Sequence, residues 1–229
     1  MSLGKNIQFL RKLHNKMTQE ELAEKMQVSR QTVSKWELDA GYPEIDKVLE
    51  LCDLFSASLD NLLREDMTSF DDSYSDLRIE KVKSFKYTAY TVISGDPETD
   101  AIDRMRKTAI AAGDKTPDII GWDFPCVSQE QRSVHRLHGY TAAWVIPDGV
   151  APQGGCEVAV NPPCKYAAIT VKDPMSAPFS IIPNAYKTLM AYIQTNGYGP
   201  PDVPPAVGCF ERSYFKDSAE YMDIFVAVK

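Results

Sequence analysis

The second half of this chain contains an internal duplication, which limits its possible folds more strongly than its composition does. The segment Lys86–Val92 (KYTAYTV) matches Lys165–Val171 (KYAAITV) at five of seven positions, at an offset of 79 residues. Both copies show the alternation typical of a strand. Each is followed by a helical pattern, over residues 98–112 in the first copy and 179–196 in the second. A chain that repeats strand and helix in this way predicts two similar structural units.

The two copies also close alike. A short strand pattern containing Gly121 or Gly208 comes next, and then Tyr140–Val145 corresponds to Tyr221–Val226 at an offset of 81 residues. The order strand, helix, strand, strand therefore occurs twice. We predict an α+β domain of duplicated βαββ units, with an antiparallel sheet and a pseudo-two-fold axis. Chance similarity among alternating strands is the alternative interpretation.

The first part of the chain has a different pattern. Over residues 5–66 apolar side chains recur at helical spacing, with few strand signals and one proline. A polar, Asp-rich stretch without steady periodicity follows. We predict three regions: an all-α head of five helices (residues 4–66), a linker (67–83) and the α+β domain (84–229).

Two helix starts can be placed within the head. Thr18 and Glu21 form the pattern of a capping box, which predicts a helix from about Gln19 to Met26. Ser29 is a second cap and opens a helix from Arg30 to about Leu38. Two short helices joined by such a tight turn have helix-turn-helix spacing, in which the second helix enters the major groove of DNA.

The segment Met17–Glu37 (MTQEELAEKMQVSRQTVSKWE) resembles the helix-turn-helix of the Xre family, the phage repressors of Cro/CI type, and the resemblance extends over residues 4–65. It implies binding to double-stranded operator DNA as a homodimer. The side chains that it implies as DNA contacts are Gln19, Arg30, Gln31, Thr32, Ser34 and Lys35. Arginine can pair bidentately with guanine and glutamine with adenine, so these residue types suit base recognition.

Other positions of the same segment have structural interpretations. Val28, Val33 and Trp36 are expected to pack inward. Glu37 resembles the family's acidic residue that pairs with a basic residue of the first helix. Either Arg11 or Lys12 is the candidate partner. The alternative for the exposed polar residues is a solvated helix face without a partner.

The second block resembles GyrI-like effector-binding domains, on its duplication, on the segment Phe210-Glu211-x-x-Tyr214 and on the closing strand with Asp223. The resemblance implies a cleft between the halves that takes small, often aromatic and cationic molecules, with Glu211 as its acid. The predicted ligand-binding residues are Glu211, Trp122, Phe124, Tyr140, Trp144, Asp223 and Phe225.

Strand alternation refines this prediction. It places Tyr140, Ala142 and Trp144 on one face, and the offset of 81 makes the face of Tyr221, Asp223 and Phe225 its counterpart. Aligning Gly121 with Gly208 places Phe124 opposite Glu211. Carboxylate and aromatic rings together can hold a flat cation through charge and cation–π contact.

Each of these assignments has an alternative interpretation in which the residue binds no ligand. Strand aromatics are commonly ordinary core residues, and Glu211 can be exposed or paired with Arg212 or Lys216. Some GyrI-like relatives are hydrolases, so the resemblance leaves open an enzyme with an autoregulatory DNA-binding head. A third interpretation gives the second domain only a dimerisation or partner-binding role.

Charge and composition complete the prediction. The net charge of −7 divides into +4 over residues 1–36, −7 over 37–67 and −4 over the remainder, so a basic segment is hidden within an acidic chain. The five cysteines contain no C-x-x-C pair, and His135-x-x-His138 lacks an evident third ligand. We expect no metal, no cofactor and no catalytic residue, and a cytoplasmic, ligand-responsive bacterial transcription regulator.

Overall fold

The computed structural model describes residues 2–14, 16–55, 57–64, 66–67, 74–152 and 156–229. The helices are α1 (Leu3–Leu13), α2 (Gln19–Met26), α3 (Arg30–Glu37), α4 (Ile45–Phe55), α5 (Leu59–Arg64), α6 (Pro97–Ala111), α7 (Gln129–Ser133) and α8 (Pro178–Thr195). The strands are β1 (Tyr74–Val82), β2 (Phe85–Ser94), β3 (Asp118–Asp123), β4 (His138–Ile146), β5 (Ala159–Asn161), β6 (Cys164–Lys172), β7 (Cys209–Lys216) and β8 (Ala219–Val228). A 3₁₀ turn at Pro174–Ser176 precedes α8.

The chain divides into two compact units. The first comprises Met1–Arg78 and Pro174–Gly199, and the second comprises Ile79–Asp173 and Pro200–Lys229. This division differs from the predicted boundaries at residues 66 and 84, because α8 belongs to the unit of the head although it lies in the second repeat. Among the described residues, every helix is too short or too polar to span a lipid bilayer.

The head has the predicted five helices, α1 to α5, around one core. The Thr18 side chain accepts a hydrogen bond from the Glu21 backbone, and the Glu21 carboxylate accepts one from the Thr18 backbone, which confirms the capping box. Ser29 caps α3 through the Thr32 backbone. Val33 and Trp36 are buried in the core and Val28 packs against it, so all three point inward as expected.

The second unit contains the predicted antiparallel sheet. The order of the eight strands is β1-β6-β8-β7-β3-β4-β2-β5. The triplet β6-β8-β7 of one repeat mirrors β2-β4-β3 of the other, and a pseudo-two-fold axis therefore passes between β3 and β7, where Gly121 pairs with Glu211. Both repeats have the order strand, helix, strand, strand, with α7 added between β3 and β4.

The strand registers correct one predicted alignment. Tyr87 pairs with Val145, while its duplicate Tyr166 pairs with Ala227. Val145 therefore corresponds to Ala227, at an offset of 82 residues instead of 81. Because side chains alternate along a strand, a shift of one residue moves each of them to the other face. The prediction that Tyr221, Asp223 and Phe225 occupy the repeat-related counterpart of the Tyr140, Ala142 and Trp144 face is wrong.

A second alignment changes for the same reason. Ala142 pairs with Gly121, and its counterpart Ile224 pairs with Glu211. Gly121 is thus the structural equivalent of Glu211 and not of Gly208, so the expectation that Phe124 lies opposite Glu211 is wrong. The alignment was based on a match between two glycines. Which residues of the two repeats are equivalent is set by the pairing of strands, and this pairing cannot be read from the sequence.

The two sheet faces of the second unit carry separate apolar clusters. One, beneath α6, contains Met105, Tyr140 and Trp144, and the other contains Tyr166, Phe210 and Phe225. The second cluster includes two linked, buried hydrogen bonds. The Tyr166 hydroxyl donates to the Val207 carbonyl at 2.6 Å, and the Val207 N–H donates to Asn161 Oδ1 at 2.9 Å.

The predicted linker is partly a strand. Residues 74–82 form β1, the outermost strand beside β6. Asp-rich composition favoured a loop over 67–83, yet Leu77, Ile79 and Val82 are half-buried. Residues 68–73 of the predicted linker lie outside the described residues.

Candidate functional site

The exposed face of α3 carries most of the predicted DNA contacts. Successive helical residues are about 100° apart, so Arg30, Ser34, Gln31 and Lys35 follow one another around one side of the helix. Arg30, Gln31 and Lys35 are exposed, and Ser34 is half-buried. The opposite side of α3 faces the core. This arrangement presents two cations, an amide and a hydroxyl along a single face.

Thr32 has a different environment from its neighbours. It lies toward the edge of this face, its hydroxyl is 2.8 Å from the Ser29 hydroxyl, and its N–H donates to Ser29 Oγ at 3.1 Å. Part of its bonding capacity therefore stabilises the start of α3.

Arg30 is only loosely restrained. Its Nε lies 3.8 Å from Glu20 Oε2, and both side chains are largely exposed. Surface ion pairs of this kind contribute about 0–1 kcal/mol. The guanidinium is therefore able to leave Glu20 for another partner at little cost.

A buried carboxylate joins the first three helices. Glu37 Oε1 accepts from Arg11 Nε at 2.6 Å, and Glu37 Oε2 accepts from Arg11 Nη2 at 3.0 Å and from Gln19 Nε2 at 2.8 Å. The basic residue of α1 that pairs with Glu37 is therefore Arg11, while Lys12 is exposed. Burial opposes ionisation of Glu37, but hydrogen bonds from Arg11 and Gln19 outweigh it and lower the pKa of the carboxyl.

The second candidate site surrounds Glu211 at the pseudo-two-fold axis. The Tyr140 hydroxyl donates to Glu211 Oε2 at 3.4 Å. Tyr140 reaches Glu211 across Gly121, where a Cβ atom would overlap its hydroxyl oxygen and lie 2.6 Å from two of its ring carbons. A glycine is thus required at this point of β3 by close approach of the Tyr140 ring.

Two further carboxylates lie around Tyr140. Burial raises the pKa of Tyr140 strongly, and the charges of Glu211, Glu98 and Asp123 raise it further. Desolvation likewise raises the pKa of Glu98, with an additional rise from the charge of Asp123, even though part of the Glu98 side chain remains exposed. The local field at Tyr140 is therefore negative.

Three of the predicted ligand residues lie on the other sheet face. Trp122 pairs with Thr141, the neighbour of Tyr140, and Asp223 and Phe225 flank Ile224, the pairing partner of Glu211. Phe225 is buried and stacks on Phe210 with ring centroids 4.5 Å apart. Asp223 Oδ1 accepts from Thr170 Oγ1 at 2.5 Å. The structure therefore divides the predicted set between two faces.

The remaining two predicted residues, Trp144 and Phe124, do not lie beside Glu211 in the strand pairing. Trp144 is fully buried in the cluster with α6, and its Nε1 donates to Asp114 Oδ2 at 2.9 Å. Phe124 is half-buried just after β3, and its N–H donates to the Gly139 carbonyl at 2.9 Å.

Within the part of the chain that the structure describes, His, Cys, Asp and Glu form no group of three or more that is placed to hold a metal ion. His135 and His138 are both exposed.

Comparison with known proteins bears on the head. Residues 7–62 match the family model described as "Helix-turn-helix". Residues 7–62 are a helix-turn-helix domain. The chain is 33% identical over 88 residues to the HTH-type transcriptional activator BcrR of Enterococcus faecalis, a match that covers 38% of this chain and 43% of BcrR. The chain therefore spans less than half the length of this curated relative.

Solved structures with a similar arrangement include two of EcmrR. The EcmrR C-terminal domain is 15% identical, covers 67% of this chain and 97% of its own, and superposes with a TM-score of 0.48. EcmrR in its cryo-EM complex with DNA is 11% identical, with 92% and 98% coverage and a TM-score of 0.46.

The polar face of the helix-turn-helix domain was predictable from the sequence, but three of the residues around Tyr140 were not. Gly121, Glu98 and Asp123 come from two separate elements, β3 and α6, and meet only through tertiary packing. The one available signal was the DIIGWD segment of β3, in which a glycine interrupts a strand pattern and marks a close approach.

Proposed function

We propose that this chain is a transcription regulator that binds operator DNA through the exposed face of α3. The observation that carries the proposal is this face itself, with Arg30, Gln31, Ser34 and Lys35 presented from a helix-turn-helix domain. In that motif the N-terminal side chains of the second helix meet base edges in the major groove.

The side chains suit different roles. Arg30 and Gln31, at the start of α3, are the proposed base contacts, because their planar groups can bind a base edge bidentately. Ser34 and Lys35, one turn later, suit the phosphate backbone. The amide group of Gln19 has two donor hydrogens; one is bound by Glu37, and we assign the other to a phosphate.

Selection of binding sites from random DNA tests the role of Arg30. Arg30→Ala should relax the sequence preference at one operator position, with a loss of discrimination of about 1–3 kcal/mol there. Lys25→Ala is the matched control, since Lys25 is an exposed cation at the end of α2 and outside the α3 face. An equal loss of affinity for all sequences would reduce Arg30 to a phosphate contact.

For the second unit we propose an effector site for a small aromatic cation at Glu211. The support is the field around Tyr140: the three carboxylates that disfavour a tyrosinate there favour a bound positive charge. Tyr140 is itself buried, and its hydroxyl holds the Glu211 carboxylate in place through the hydrogen bond at 3.4 Å.

Calorimetry with tetraphenylphosphonium, and with triphenylphosphine oxide as an uncharged aromatic control, tests this site. Glu211→Gln should weaken binding of the cation about tenfold or more, which is about 1.4 kcal/mol, and leave folding intact. Asp223→Asn changes a carboxylate on the opposite face and should leave the affinity unchanged. Loss of binding in the Asp223 variant alone would move the site to that face.

Two outcomes would favour other functions for the second unit. Turnover of a bound compound that disappears in Glu211→Gln would indicate a hydrolase. If no cation binds the full chain, the result would favour a role of the second unit in dimerisation or partner binding.

A further inference from the structure

A second cavity lies in the first unit, away from both sites described above. It has a volume of about 580 Å³, within the range of roughly 300–1,000 Å³ typical of small-molecule sites. Its walls come from α1, the start of β1 and α8, which all belong to this unit.

The wall of the cavity is mainly aromatic and aliphatic. Phe9 and Leu13, one turn apart on α1, face Tyr74 of β1 and Tyr192 of α8 around it. The Tyr74 hydroxyl donates to the Ile181 carbonyl at 3.0 Å, so its polar end is satisfied and its ring provides apolar surface. Tyr192 is largely buried.

Positive charge is concentrated at the rim. Lys12, near the C-terminal end of α1, and Lys16, between α1 and α2, both line the cavity and both are exposed. Neither has an ion-pair partner among the described residues. Asp76 also lines the cavity, but its carboxylate lies 3.2 Å from Arg78 Nη1, so its charge is already compensated.

We propose that this cavity binds an amphiphilic anion, a carboxylate or sulfonate with an aromatic or aliphatic body. The body fits the wall of Phe9, Leu13, Tyr74 and Tyr192, where its burial removes apolar surface from water. The anionic group meets Lys12 and Lys16 at the mouth. A ligand of this class has the opposite charge from the one proposed for Glu211, so the two sites discriminate by the sign of the charge.

The site is connected to the end of α3 through α1. Lys12 follows Arg11, whose guanidinium binds Glu37 at the end of α3. An occupant held by α1 therefore contacts the same helix that anchors α3.

Fluorescence of 1-anilinonaphthalene-8-sulfonate with the full chain provides the test. The wild-type protein should bind the dye, and decanoate should displace it while decyltrimethylammonium, which has the same chain length and the opposite charge, does not. The double variant Lys12→Gln/Lys16→Gln should bind the dye about tenfold more weakly, because two cations at the rim are lost.

Lys25→Gln/Lys47→Gln is the matched control, since it removes two lysines of the same unit that do not line the cavity. It should bind the dye like the wild type. Equal binding by both double variants, or equal displacement by the anion and the cation, would overturn the proposal. Because all these residues belong to the first unit and Glu211 belongs to the second, failure here leaves the proposed cation site untouched.

Discussion

Glu37 determines how the first three helices of the head are held together. Its carboxylate binds Arg11 of α1 and Gln19 of α2 from the last residue of α3, and its side chain is 1% exposed. Arg11 also donates to the Met17 carbonyl at 2.6 Å, so the loop before α2 depends on the same cluster. A charge pair of this burial is costly to break, because either partner alone is left uncompensated.

Removal of the carboxylate should therefore destabilise the head severely. We expect Glu37→Ala to lower the free energy of unfolding by about 3–5 kcal/mol, as for other broken buried ion pairs. Urea titration followed by the circular dichroism of the helices measures this loss. Glu24→Ala, an exposed change on α2, should stay within about 0.5 kcal/mol of the wild type; similar losses in both variants would contradict the assignment.

The same residue should make stability depend on pH. The pKa of Glu37 is lower in the folded chain than its ordinary value of 4.5. Its stabilising contribution is therefore complete above that value and is lost as the pH falls through the lower folded pKa. Between pH 5 and 3, in steps of about half a unit, Glu37→Gln should lose less stability than the wild type; parallel losses would show that other carboxyl groups dominate.

At the scale of elements, the centre of the sheet depends on close approach between β3, β4 and β7. Gly121→Ala places a methyl group against the Tyr140 ring, and overpacking of this kind typically costs about 1–3 kcal/mol. It should also displace Tyr140 from Glu211 and weaken tetraphenylphosphonium binding. Thermal unfolding and calorimetry measure the two effects.

Gly208 provides the control for this substitution. A Cβ atom at Gly208 meets nothing within 4 Å, so Gly208→Ala should be close to neutral. If both alanine variants unfold at the same temperature, the contact between Gly121 and Tyr140 has no energetic weight.

At this scale the sequence predicted those features that depend on interactions between residues close together in the chain. The start of α2 follows from Thr18 and Glu21 alone, because a capping box is complete within four residues. The duplication likewise predicted the order of strands and helices. The faces of β7 and β8 were not predictable in this way, since they depend on pairing with strands distant in sequence and a one-residue error reverses them.

For the molecule as a whole, the distribution of charge supports selective binding to DNA. The net charge of −7 includes a basic segment of +4 over residues 1–36, backed by −7 over residues 37–67. An acidic chain is repelled by DNA except where its basic face meets the phosphates. We therefore expect affinity for the operator to fall steeply with salt concentration.

Binding as a homodimer, which the resemblance to the Xre family implies, makes a geometric prediction about the operator. Two α3 helices should read half-sites about 34–36 Å apart, or 10–10.5 base pairs from centre to centre. Inserting about 5 base pairs between the half-sites turns one of them to the other side of the duplex, and the affinity measured by fluorescence anisotropy should drop to that of a single half-site. An unchanged affinity would indicate that the chain binds DNA as a monomer.

The pairing of Gly121 with Glu211 has a consequence for how such a domain arises. The pseudo-two-fold axis brings two copies of one backbone position side by side, and this chain fills one with an acid and the other with no side chain. A symmetric dimer of single repeats would have to place the same residue at both positions, giving either two adjacent carboxylates or none. When the two repeats are fused in one gene, the two positions can mutate independently. An acidic residue at one position can then lie beside a glycine at the other.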